Sequence, residues 1–119
     1  MTAILLVEDE PAVREVTATL LRHCGFVMHT AATPDEALAV VARHPIDILL
    51  TDVYLLGHSD GYSMTRQLRS QGWKGRVIFT SGDPDAIDAA RLEDEDAPFL
   101  PKPYGRNMLL EAIRELERS

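Results

Sequence analysis

Two rhythms of apolar residues alternate along the chain. Short apolar runs occupy Ala3 to Val7, Phe26 to Thr30, Ile46 to Thr51, Arg76 to Ser81 and Phe99 to Leu100, while apolar positions between them recur at helical spacing. Runs of this length bounded by turn residues predict buried strands, and the intervening periodicity predicts amphipathic helices.

The first run stops at Glu8-Asp9-Glu10-Pro11, a loop that leads into a helix with Pro11 in its first turn. Val13, Val16, Leu20 and Leu21, with Thr17 beside them, predict the buried face of that helix, which ends at His23 and Cys24 before Gly25. A second helix is signalled by Thr33-Pro34-Asp35-Glu36, where Thr33 and Glu36 have capping-box spacing, and it ends at His44-Pro45. The third run stops at Asp52. Leu55 to Gly61 reads as a loop before a helix carrying Met64 and Leu68, and Asp83-Pro84 opens a fourth helix around Ile87 and Ala90. A last helix places Leu109, Ile113 and Leu116 on one face.

Five strands alternating with five helices predict a doubly wound α/β fold, because right-handed crossovers between apolar parallel strands leave a helix covering each face of the sheet. The 119 residues form one expected domain spanning 1–119 with no effector domain. The net charge of -7 repels a phosphate backbone, so nucleic acid is not an expected partner. Cys24 is the sole cysteine, which excludes an internal disulfide and a cysteine zinc site. With no signal-like or membrane-spanning segment, the expected location is the cytoplasm.

In open α/β sheets the functional crevice lies beyond the carboxyl ends of the strands. There the first strand delivers Glu8-Asp9, the third Asp52, the fourth Thr80-Ser81, and the fifth is followed by Lys102. Alone, Asp9 reads as a helix cap, Asp52 as a turn opener and Lys102 as a solvated loop residue. Arriving together at the strand ends, they point to a shared site. If the first and third strands are neighbours, about 4.8 Å apart, their carboxylates repel unless a cation joins them, and all-oxygen ligands favour Mg²⁺.

Val7-Glu8-Asp9, Thr51-Asp52, Thr80-Ser81-Gly82 and Pro101-Lys102-Pro103-Tyr104 together resemble the response-regulator receiver family over the whole chain. The resemblance implies a flavodoxin-like sheet of strand order 2-1-3-4-5 and a phosphorylation switch of two-component signalling. It implies that Asp52 accepts a phosphoryl group from a sensor histidine kinase or a histidine phosphotransfer protein. It further implies that Asp9, Glu8, Asp52 and the backbone carbonyl of Tyr54 hold Mg²⁺. Ser81 and Lys102 would contact the phosphoryl group, and Phe99 would report the switch. Output would pass to another protein through the surface of the fourth helix, fifth strand and fifth helix. Such a domain is not an enzyme beyond slow self-dephosphorylation.

Three positions depart from the family pattern: Glu8 replaces an aspartate, Leu56 a proline and Asp96 a glycine. Within the same fold, a phosphate sink and a phosphorylation-independent binding module are alternatives. An aspartyl-phosphate phosphohydrolase is more remote, since Tyr54 stands where such enzymes carry a second aspartate. A flavin module is disfavoured because the loop after the first strand is acidic and lacks a phosphate cradle. His58 and Trp73 read as a solvated loop residue and a loop packing residue.

Overall fold

A computed structural model describes residues 1–55, 61–82 and 97–118. In chain order it contains β1 (Ala3–Val7), α1 (Pro11–His23), β2 (Val27–Ala31), α2 (Pro34–Arg43), β3 (Ile48–Asp52), α3 (Gly61–Ser70), β4 (Arg76–Ser81), β5 (Phe99–Pro101) and α4 (Arg106–Arg118). The expected helix at Asp83-Pro84, the loop residues Leu56 and His58, and Asp96 lie outside the described residues. All strand pairs are parallel, in the order β2-β1-β3-β4-β5.

Side-chain alternation along the central strands divides the core into two layers. Leu5, Val7, Leu49, Val77 and Phe79 face one side, where Ala37 of α2 and Met64 and Leu68 of α3 cover them. Ile4, Leu6, Ile48, Leu50 and Ile78 face the other, under Ala18 and Leu21 of α1 and Leu109 and Ile113 of α4. Buried on both faces, β1 and β3 need the unbroken apolar runs seen in the sequence.

Element ends differ from the sequence reading where local bonds decide them. Phe26 donates its N–H to Leu21 O at 3.2 Å and so belongs to the turn after α1, which moves β2 on to Val27–Ala31. Asp52 continues β3 because it pairs with Thr80. On α1, Val16 is 69% exposed, contrary to the expected face, and Thr17, Ala18 and Leu21 are buried. At about 100° per residue, Val16 stands about 140° around the helix from Leu21, outside the buried stripe. On α2, Thr33 Oγ1 accepts from Glu36 N–H at 3.2 Å as expected, but the Glu36 carboxylate accepts from Ala32 N–H at 2.6 Å, one residue before the cap itself. Trp73 packs as expected, donating Nε1–H to Ile46 O at 3.0 Å.

Candidate functional site

The parallel register brings the strand ends to one edge. Val7 pairs with Thr51, and Asp52 pairs with Thr80, so Glu8, Asp52 and Thr80 come level across the three strands and Ser81 follows one residue on. Glu8 is 3% exposed and Asp52 6%, while Asp9 is half-buried. One carboxylate oxygen from each of Glu8, Asp9 and Asp52 lies within 4.8 Å of the others. The three carboxylates expected from the sequence therefore form one cluster.

Lys102 enters from the loop after β5, held by its N–H on Ser81 O at 2.8 Å. Its ammonium lies 2.8 Å from Asp52 Oδ1, 3.0 Å from Asp52 Oδ2 and 3.1 Å from Glu8 Oε2. Thr80 Oγ1 donates to Asp52 Oδ1 at 2.8 Å. Asp52 is thereby fixed by one cation and one hydroxyl, with its carboxylate facing the crevice.

Electrostatics follow from this crowding. Burial, the hydrogen bond to Asp52 and the charge of Asp52 push the Glu8 carboxyl up to about 7, and Lys102 only partly opposes them. Burial works against the charge of Lys102, but the bonds and charges of Asp52 and Glu8 outweigh it and raise its pKa. Near neutral pH the crowded Glu8 carboxyl is therefore only partly ionised. Three oxygen donors from carboxylates, carrying more negative charge than one lysine balances, fit a hard divalent cation such as Mg²⁺.

Ser81 is buried at the end of β4, next to Thr80. Phe99 lies opposite Phe79 in the ladder and is half-buried against the core. The Tyr54 side chain is 56% exposed, just past Asp52 and Val53. Three residues around the site were given no role by the sequence. Thr80 binds the Asp52 carboxylate directly; its place next to Ser81 was visible, but not which hydroxyl would face inward. Gly61 packs so closely that a β-carbon there would clash with the Asp52 carbonyl oxygen, a constraint that a glycine after a polar loop only hints at. Tyr104, held above the ordinary phenol range by burial although a hydrogen bond with Thr17 opposes the shift, lines an open groove of about 470 Å³ with Glu10, Val13, Thr17, Lys102 and Pro103.

Known proteins agree with this arrangement. A family model for the response regulator receiver domain matches residues 4–114. The response regulator MprA of Mycobacterium leprae is 37% identical over 97% of this chain and 50% of its own length. The sensor kinase CckA of Brucella abortus is 34% identical over 95% of this chain but 12% of its own length. The chain thus spans half or less of these curated relatives. The receiver domain of the sensor histidine kinase PA1611 from Pseudomonas aeruginosa, solved with a magnesium ion in its active-site cleft, is 29% identical with a TM-score of 0.83, covering 99% of this chain and 98% of that one. A family match over nearly the whole chain, on a sheet of order 2-1-3-4-5 with an acidic crevice at its carboxyl edge, makes this protein a member of the response regulator receiver domain family.

Proposed function

We propose that the chain is a phosphorylation-dependent switch in which Asp52 accepts a phosphoryl group from a phosphohistidine on a sensor histidine kinase or histidine phosphotransfer protein. In that step an Asp52 oxygen forms a bond to phosphorus, the P–N bond to the donor imidazole breaks, and its electron pair stays with the ring. The observation that carries this reading is the Asp52 carboxylate itself, buried to 6% exposure yet held at the crevice by Lys102 and Thr80 beside two further carboxylates.

Phosphoryl transfer requires alignment and charge neutralisation more than proton removal. Lys102 supplies one positive charge next to both Asp52 oxygens, which supports a role beside the phosphoryl oxygens once Asp52 becomes an acyl phosphate. Mg²⁺, when bound, would neutralise further charge on those oxygens. Glu8, Asp9, Asp52 and the backbone carbonyl of Tyr54 are the proposed ligands, supported by the carboxylate cluster and by the magnesium in the PA1611 receiver domain. The groove between α1 and the loop after β5 is a candidate approach for the phosphodonor because Lys102 forms part of its wall.

Ser81 and Phe99 are the proposed route to the surface. A hydroxyl beside Thr80 can bond a new phosphoryl oxygen by moving inward, and the half-buried Phe99 ring on the adjoining strand can follow without desolvating a polar atom. The output surface then joins a cytoplasmic partner protein, with turnover limited to slow self-dephosphorylation. Incubation with a small acyl-phosphate donor tests the acceptor chemistry. Intact mass should show a single added phosphoryl group that requires Mg²⁺ and is absent in Asp52→Asn, and a gain unaffected by either change would overturn the reading.

A further inference from the structure

Thr80 meets the acceptor through a bond that the proposed transfer step does not use. Its Oγ1 donates to Asp52 Oδ1 at 2.8 Å, and both residues are buried, Thr80 to 3% exposure. Chemistry settles the direction of the bond, since an ionised carboxylate only accepts. The sheet settles its position: Thr80 stands opposite Asp52 on one side and Leu100 on the other, and Val53 N–H donates to its carbonyl at 2.9 Å. A β-branched side chain on such a strand has few rotamers, so the hydroxyl sits on Asp52 without any loop movement. The contact proposed for Ser81, by contrast, forms only when that residue moves inward.

A hydroxyl so placed treats the two states of Asp52 unequally. In the free carboxylate Oδ1 shares a full negative charge, and hydrogen bonds to ionised acceptors are roughly twice as strong as those to neutral ones. In the acyl phosphate Oδ1 is either the oxygen bonded to phosphorus or the remaining carbonyl oxygen, and in both cases its share of that charge has gone. The bond therefore favours the unphosphorylated state whichever oxygen is esterified. Hydrolysis restores the charge: a water oxygen bonds to phosphorus, the bond from phosphorus to Asp52 breaks with its electron pair returning to the carboxylate, and the protons of the water leave with inorganic phosphate. Phosphoryl transfer passes through a loose transition state, so most of the charge is back on Asp52 when the barrier is crossed. In uptake the same looseness leaves most of the charge on Asp52 at the barrier, so the bond bears on decay more than on uptake.

We propose, on the reading that Asp52 is the acceptor, that the Thr80 hydroxyl shortens the lifetime of the phosphorylated state by stabilising the departing Asp52 carboxylate. A hydroxyl that merely satisfied a buried carboxylate would lower stability when removed, but it would not lengthen the lifetime of the acyl phosphate. The two roles thus differ in the sign of a measurable rate.

The test is to phosphorylate the full chain with acetyl phosphate in MgCl₂, remove the donor by rapid desalting, and follow the decay of the phosphorylated species by intact mass. Thr80→Val keeps nearly the same shape and removes the donor. Its decay should be slower by about fivefold, the margin by which a bond to a charged acceptor exceeds one to a neutral acceptor, and by more than any change in uptake. Thr80→Ser keeps the hydroxyl and should decay as wild type does. Thr80→Ala removes the hydroxyl with less bulk and should give the same slowing if Thr80→Val folds poorly. Failure of wild type to take up a phosphoryl group would remove the acceptor reading and this role of Thr80 with it. Normal uptake with decay as fast as wild type in Thr80→Val and Thr80→Ala, or slow decay in Thr80→Ser, would overturn the role of Thr80 alone.

Discussion

Replacing Glu8 with glutamine should stabilise the metal-free protein above neutral pH. In wild type the Glu8 carboxyl is raised from 4.5 to about 7, so the folded state holds a proton that the unfolded chain has lost. The sign follows from proton linkage: stability is fully present below about 4.5 and is lost as pH rises through about 7. At about 1.36 kcal/mol per pH unit the full loss is about 3 kcal/mol, or roughly 10 °C in Tm for a domain of this size. Glutamine reproduces the neutral carboxyl, still able to bond Asp52 and Lys102, and removes this loss. Thermal unfolding in chelator at pH 4.5 and pH 8 measures it directly. Glu8→Gln should match wild type at the lower pH and exceed it at the higher, and added Mg²⁺ should stabilise wild type more than the variant. A variant no more stable than wild type at pH 8, or a difference independent of pH, would refute the crowded-carboxylate account.

Two further outcomes follow from the packing around Asp52. Gly61→Ala forces a β-carbon against the Asp52 carbonyl, and because the clash is with backbone it should cost about 1–3 kcal/mol in denaturant unfolding and slow phosphorylation by displacing the acceptor. Ser81→Ala should still accept a phosphoryl group at Asp52 but show weaker NMR shift changes around Phe99 and Tyr104 than wild type, whereas a full response would detach Ser81 from the switch.

The sequence carried the fold because each layer left its own mark. Continuous apolar runs such as Leu49-Leu50 arise only where both faces of a strand are buried, and Thr33-Pro34 or His44-Pro45 mark helix ends through backbone chemistry alone. The α1 face was harder to read, since Val16 is as apolar as its neighbours and only the angle at which the helix docks leaves it in solvent. Within the candidate site, Glu8, Asp9, Asp52 and Lys102 were legible because they arrive together at the strand ends, although each alone has a commoner use. The inward turn of Thr80, the close approach of Gly61 and the meeting of His29 with His44 depend on three-dimensional neighbours far apart in the chain. No local pattern encodes such meetings.

The central claim is that Asp52 is the phosphoryl acceptor, and mapping the modified residue tests it most directly. The chain is phosphorylated in Mg²⁺ by a phosphohistidine donor, the acyl phosphate is trapped by hydride reduction, and the peptides are sequenced by mass spectrometry. Modification at Asp52 alone is the expected result, because its carboxylate faces the crevice under Lys102 and Thr80. Modification at Glu8, Asp9, Asp47 or a histidine, with Asp52 intact, would contradict the account.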